Sequence, residues 1–354
     1  MAYPTVVMVS ALSRELSPFN PTWSVPQLQE HLARALSGTG PALSTEAIQE
    51  KSVAPKIALV VRTSGSTGNP KSVALTATAL LANARATHRF LGAQPGDRWS
   101  LLLPVHHIAG INILIRAIEL GTLPVGVQDS ADFTAIVPTQ LFRALHGDQS
   151  LLTHLQNCKK VLVGGGALSA SLRNEGLAAG IHIVESYGMT ETCGGVIYDG
   201  MPLEGVEMKI DKGRIALKGN QIDPQYLGSE ISLFNGWFTS SDLGEIHNNR
   251  LTVVGRSDDQ IISGGEKISL SAIEEFLREI HPDSEFVAFA QDDKEWGQRL
   301  CVATTGRLES ERIVADVKQR FGHHAAPKEV RTVQEIPYLS IGKPDRRKLA
   351  HDFS

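Results

Sequence analysis

The sequence predicts an α/β fold. A large N-terminal domain of doubly wound sheets carries a β-rich subdomain, and a small α+β domain follows. Three observations predict this. Between residues 57 and 189, apolar strand-like runs alternate with helix-like segments. That alternation places helices on the faces of a largely parallel sheet. Near residue 201 the chain changes to short alternating strands with Gly and Asn turns. After Gly255, charged and Gly-rich residues lead into an amphipathic helix. The expected division is residues 1–257 for the large domain and 258–354 for the small one.

The elements follow in order. "VPQLQEHLARAL" reads as a helix and "KIALVV" as a buried strand. "SVALTATALLANARATHRFLG" has helical spacing and ends at Gly92. "DRWSLLLP" is strand, and "HHIAGINILIRAIELG" is helix. "TAIVPTQLFRALHG" is strand then helix, as is "KKVLVGGGALSASLRNEGLAAG" across a Gly turn. "IHIVESYGMTE" is strand then loop. "GVEMKID", "GRIALKG", "WFTSSDLGEIH" and "RLTVVG" supply the β-rich part. In the small domain, Ser271 and Glu274 have capping-box spacing.

Composition excludes several classes. The 354 residues are 42% hydrophobic and 20% charged, ordinary values that allow a sizeable core. A net charge of −4 implies no general attraction to nucleic acid or to an anionic membrane. Three scattered cysteines (Cys158, Cys193, Cys301) have no zinc spacing, which suits free thiols in a reducing cytosol. "IAGINILIRAIELG" is interrupted by Arg116 and Glu119 and is too short to span a bilayer. The N-terminus lacks a signal-peptide pattern. The expectation is a cytoplasmic enzyme of small molecules.

The chemistry concentrates at the carboxyl ends of strands, where doubly wound sheets bind ligands. "TSGSTGNPK" narrowly misses a Walker loop, because Pro70 stands where the second glycine is needed. Thr63, Ser64, Ser66 and Thr67, with Gly65 and Gly68, still offer hydroxyls and bare N–H groups to β- and γ-phosphates. Lys71 adds a cation. The bland alternative is a polar turn without a ligand. The turn Gly164–Gly165–Gly166 lets a flat ring approach the backbone, or is simply a tight strand–helix turn. In "SYGMTE", Ser186 to Glu191, Tyr187 can stack on a base and Thr190 can bond a phosphate oxygen. Gly188 and Met189 lie between them, and Glu191 can join Mg²⁺, which prefers one or two carboxylates plus phosphates. The alternative there is a capped helix start. Asp242 and Arg256 suit ribose hydroxyls, or form a salt bridge between turn residues. Lys343 lies in a basic segment near the C-terminus that otherwise reads as a solvated tail.

Singly these signals are weak, but their order is not. "TSGSTGNPK", "GGGAL", "SYGMTE", "SDLG", "GRSDDQIISGGEKI" and "GKPDRRKL" together resemble the adenylate-forming superfamily of acyl-CoA synthetases, adenylation domains and luciferases, over residues 57 to 350. The resemblance implies the fold of that superfamily with a shortened N-terminus. It implies ATP and Mg²⁺, and CoA as co-substrate. An acid attacks the α-phosphorus to give acyl-AMP and pyrophosphate; the small domain then rotates and CoA thiol takes the acyl group. It assigns Lys343 to adenylation, Thr67 and Glu191 to the metal, and Asp258 to the hinge.

"LLLPVHHIAGINILIRAIELG" resembles most closely the o-succinylbenzoate–CoA ligases of menaquinone synthesis. His107 matches their pocket histidine, and Arg116, nine residues on, the arginine that some of them offer to the substrate's carboxylate. The alternative for Arg116 is a surface residue or a pair with Glu119. Cys193 and Gly194 would line an aryl pocket with small groups. Another aryl- or acyl-CoA ligase, or an adenylation enzyme loading a separate carrier protein, remains as an alternative function; a pseudoenzyme is opposed by the retained charged residues. The segment before the phosphate loop is shorter than is usual in the superfamily, which leaves surface available to a homodimer.

Overall fold

The computed structural model describes residues 13–63, 71–228, 233–257, 259–263, 266–282, 284–293, 297–306, 308–338 and 344–353. The chain divides into two compact units. The first comprises Met1–Lys209, Ala216–Phe238 and Asn248–Arg250; the second comprises Ile210–Ile215, Thr239–His247 and Leu251–Ser354.

The first unit begins with β1 (Arg14–Pro18), α1 (Val25–Ser37), β2 (Ala42–Ser44), β3 (Ser52–Val53), β4 (Ile57–Thr63), β5 (Lys71–Thr76) and α2 (Ala77–Leu91). Ser24 starts α1 with both halves of a capping box, and Gly38 ends it at φ 79°. β4 is buried over its first five residues, as its apolar run predicts. The stretch read as one helix from Ser72 to Leu91 is divided. Residues Lys71–Thr76 pair antiparallel with β4, and the helix starts at Ala77 under a Thr76 cap. The helical spacing was real only from Ala77 on; the hairpin partner overrides it before that.

Then follow β6 (Trp99–Ser100), α3 (Ile108–Leu120), β7 (Phe133–Ile136), α4 (Pro138–Leu145), α5 (Gln149–Asn157), β8 (Lys160–Gly164), α6 (Ala170–Ala178), β9 (Ile183–Met189), β10 (Gly194–Tyr198) and β11 (Met201–Pro202). The strand expected across "DRWSLLLP" is confined to Trp99 and Ser100. β12 (Val206–Asp211), β13 (Arg214–Gly219), β14 (Gln225–Tyr226), β15 (Phe238–His247) and β16 (Arg250–Arg256) complete the β-rich stretch.

Two six-stranded sheets organise the first unit. Their orders are β14-β5-β4-β2-β1-β3 and β11-β10-β9-β8-β7-β6. In the second, β6 to β9 run parallel, and β10 and β11 are antiparallel additions. One core joins α1, α2 and α3 to β4 and β5 through Leu32, Leu59, Leu75, Leu80 and Ile111. A second core packs α4 and α5 on β7, β8 and β9 through Leu141, Leu155, Val161 and Ile183. Burying each such side chain contributes roughly 1.5–3 kcal/mol. The layers are therefore sheet, helices, sheet, helices.

A third sheet has the order β12-β13-β15-β16. The rest of the second unit is β17 (Gln260–Ser263), β18 (Glu266–Ser269), α7 (Leu270–Ile280), β19 (Phe286–Asp293), β20 (Gly297–Thr304), α8 (Ser310–Phe321), β21 (Glu329–Thr332) and α9 (Arg346–Asp352). Ser269, not Ser271, caps α7. Glu274 turns inward instead, where Oε1 accepts from the Ala288 amide and from Arg346.

Candidate active site

Parallel pairing of β8 with β9 puts Gly164 opposite Ser186. The approach is so close that a Cβ on Gly164 would lie 2.6 Å from the Ser186 carbonyl oxygen. Gly165 has φ +76°, the left-handed region where glycine is at ease. The two Gly-rich motifs of the sequence are thus neighbours at one sheet edge. β9 continues through Ser186, Tyr187 and Gly188 to Met189, and a single 3₁₀ turn, Thr190–Thr192, follows. Thr192 locks that turn: its hydroxyl accepts from the Met189 amide at 2.9 Å and donates to the Gly194 carbonyl at 2.7 Å. Glu191 projects from the turn.

Lys71 begins β5, directly after the phosphate-loop segment, and its Nζ lies 5.1 Å from the Tyr226 ring centroid. Tyr226 Oη donates to Glu191 Oε1 at 2.7 Å. Burial, and then the Glu191 carboxylate, push the phenol's pKa up, so Tyr226 stays a donor. Sequence reasoning missed Tyr226. Its only signal was an aromatic at the end of "GNQIDPQY". Thr63 closes β4 and its hydroxyl donates to the Lys71 carbonyl at 3.3 Å. Ser64, Gly65, Ser66, Thr67 and Gly68 lie outside the described residues, as do Asp258 and Lys343.

Among the described residues no cluster of three or more His, Cys, Asp or Glu could hold a metal. One carboxylate with a hydroxyl partner, beside a lysine, fits a Mg²⁺ that brings phosphate oxygens with it, and does not fit a closed protein cage.

His107, Arg116 and Gly194, read from sequence as acid-side candidates, gather on and around α3. His107 is its N-cap residue but makes no capping bond. Burial lowers its pKa, His106 adds to this, and Glu46 opposes it, so the ring is neutral at pH 7. Its Nε2 is buried without a partner. Asn112 Nδ2 donates to the Cys193 carbonyl at 2.8 Å, fixing the turn that starts β10. The Cys193 thiol itself is fully buried in the core with Ile108 and Ile111, so its side chain does not line a cavity. Gly194 does meet Asn112, for a Cβ there would lie 2.2 Å from Nδ2.

Arg116 lies one helical turn beyond Asn112. It is only 3% exposed, so neither alternative from the sequence holds: it is not on the surface, and Glu119 pairs with Arg85. Its Nη2 donates to Tyr198 Oη at 3.2 Å and Thr87 Oγ1 at 3.4 Å, and the guanidinium lies 4.8 Å from the Trp99 ring centroid. Its Nε has no partner. The guanidinium offers no open face to a ligand; it lies against Tyr198 of β10.

In the second unit, Asp242 on β15 and Arg256 on β16 form an ion pair at 3.0 Å. They are strand residues, not the turn residues that spacing suggested.

The fold and this arrangement define an adenylate-forming enzyme. The model for AMP-binding enzymes matches residues 9–221 and that for the AMP-binding enzyme C-terminal domain matches residues 272–343, and the chain belongs to that family. Among its relatives is the probable 2-succinylbenzoate–CoA ligase of Mycobacterium tuberculosis, 35% identical over 91% of this chain and 94% of the relative. A 2-succinylbenzoate–CoA ligase of Listeria monocytogenes is 30% identical over 84% of this chain and 71% of its own. Wild-type Escherichia coli MenE, solved with a phenylether-linked analogue of OSB-AMS, superposes with a TM-score of 0.70 at 27% identity, covering 95% of this chain and 81% of that one. Bacillus subtilis MenE in complex with the acyl-adenylate intermediate OSB-AMP gives 0.73 at 25% identity, over 94% and 82%. No described helix is long and apolar enough to cross a membrane.

Proposed function

We propose that this chain is an ATP-dependent o-succinylbenzoate–CoA ligase of menaquinone biosynthesis that works in the cytoplasm. The acid carboxylate attacks the α-phosphorus of ATP, an oxygen–phosphorus bond forms, and pyrophosphate leaves. CoA thiol then attacks the acyl carbon of acyl-AMP, and AMP leaves. Two anions must meet in the first step, so fixed positive charge is what the protein supplies.

The observation that supports the choice of acid is Arg116: a guanidinium buried against Tyr198, Thr87 and Trp99, with no counter-carboxylate among the described residues. A buried unpaired charge costs stability. It is kept where its field acts on a second carboxylate of the substrate. At an effective dielectric of ~20, a unit charge within about 8 Å of a carboxylate contributes roughly 2 kcal/mol. Neutral His107 packs beside the aryl group without adding charge.

Lys71 and the loop from Thr63 to Gly68 hold the β- and γ-phosphates. Tyr187 stacks on the adenine, whose edge faces Gly164–Gly166. Glu191, with Thr67 and phosphate oxygens, would hold Mg²⁺, which supplies neutralisation of the triphosphate. Asp242 and Arg256 are assigned to ribose, Asp258 to the hinge and Lys343 to adenylation, by the family resemblance.

An acid panel that includes o-succinylbenzoate, read as ATP–pyrophosphate exchange and thioester formation, tests the reading. Exchange with another aryl acid and none with o-succinylbenzoate would replace it with the alternative ligase. Lys343→Ala should slow adenylation by roughly 10²–10³-fold. Thioester formation from supplied acyl-AMP should survive, and equal loss of both half-reactions would remove the two-state assignment.

A further inference from the structure

We propose that Tyr226 is a positioning residue that sets the site's affinity for the metal-bound triphosphate. The inference rests on the function just given. Two groups assigned there, Lys71 at the start of β5 and Glu191 in the 3₁₀ turn after β9, meet at one phenol. Tyr226 Oη holds Glu191 Oε1 at 2.7 Å, and Lys71 Nζ sits 5.1 Å from the centre of the same ring.

The fold makes this phenol rigid. β14 pairs antiparallel with β5, with Tyr226 opposite Val73 and Gln225 opposite Ala74. The Leu227 amide donates to the Ser72 carbonyl at 2.9 Å, next to Lys71. Upstream, Asp223 pairs with Lys56 at 3.1 Å, just before β4. The ring packs on the core formed by α1, α2, α3, β4 and β5. Among the described residues, Tyr226 is the sole hydrogen-bond partner of Glu191. One carboxylate oxygen is thereby fixed, and Oε2 is left for a ligand.

A carboxylate that swings freely must be ordered when metal binds; one already held is not. Hydrogen-bond partners of this kind typically cost 10–100-fold in metal affinity when removed. The same ring keeps Lys71 near the phosphates through a cation–π contact. A backbone role for the short β14 strand would need neither the hydroxyl nor the ring.

Tyr226→Phe removes only the hydroxyl, and Tyr226→Leu removes hydroxyl and ring. Mn²⁺ is the probe, with free ion measured by electron paramagnetic resonance in the presence of ATP. Metal-free ATP binding is measured by calorimetry. For Tyr226→Phe the expected result is a Mn²⁺ affinity roughly 10–100-fold weaker, with metal-free ATP affinity and thermal midpoint unchanged. Tyr226→Leu should in addition weaken metal-free ATP binding, by releasing Lys71. Wild-type Mn²⁺ affinity in Tyr226→Phe would overturn the inference, as would absence of Mn²⁺–ATP binding by the wild type. Metal-dependent ATP binding without pyrophosphate exchange for any acid would overturn the function and leave the role of Tyr226 standing.

Discussion

Two arginines, one in each unit, are partnered in opposite ways. Arg116 on α3 has two hydroxyls and an indole as neighbours and no carboxylate among the described residues. Arg346 on α9 pairs with Glu274 at 2.9 Å and Asp259 at 3.3 Å, and its Nε donates to the Ala288 carbonyl at 2.9 Å. The second arrangement ties α9 to α7 and β19. The first links α3 to α2, β10 and β6 through neutral groups and leaves the charge without a carboxylate partner among the described residues. A fold selected for stability alone gains nothing from it. The difference separates a cation that ties elements of the chain together from one to which the proposed function assigns a field.

Removing each arginine sharpens or breaks that contrast. The largest effect belongs to Arg346→Ala, which strands the nearly buried Glu274 with only the Ala288 amide and a 3.7 Å contact to Arg278. A loss of about 3 kcal/mol is expected by denaturant unfolding, the low end for a broken buried pair. The double variant Arg346→Met with Glu274→Leu should recover most of it. If both variants are equally unstable, the pair is not what holds α9.

Next comes the pH dependence around Arg116. Burial first, and then the Arg116 charge, push His88 down to about 4, against an opposing pull from Asp97. The unfolded imidazole titrates near 6.5, so the unfolded state takes the proton first as pH falls. His88 therefore costs nothing above about 6.5, and stability falls progressively toward pH 4 by up to roughly 3 kcal/mol. In Arg116→Met the fall should be shallower. An identical profile would mean that the guanidinium's field does not reach His88.

The smallest effect is on stability at neutral pH. Arg116→Met should be neutral or stabilising by about 1 kcal/mol, because a thioether chain of similar reach replaces a buried charge. A loss comparable to that of Arg346→Ala would make Arg116 structural and dissolve the contrast.

How far each region could be read from sequence follows from where its partners lie. The helix α1 carries its own cap, Ser24 with Gln27, and was legible. So were the carboxyl ends of β4, β8 and β9, because glycines mark the turns locally. β5 was not, since its strand state depends on pairing with β4. The α7 cap was displaced because Ser269 and Ser271 are both plausible N-caps, and only the end of β18 chooses between them. For Asp242 and Arg256 the salt bridge offered as the alternative to ribose binding is present, but between strands. Tyr226 could not be read at all: its partners lie 35 residues away at Glu191 and far upstream at Lys71. Arg116 was legible as a cation in an apolar helix, whereas its lack of a counter-charge required the neighbours.

The most direct measurement is ATP–pyrophosphate exchange by wild type and Arg116→Met, with o-succinylbenzoate and with a matched aryl monocarboxylate. The field of Arg116 predicts that KM for the dicarboxylate rises roughly tenfold or more, while KM for the monocarboxylate and for ATP hold. Unchanged KM for o-succinylbenzoate, or an equal rise for both acids, would contradict the role given to this buried charge.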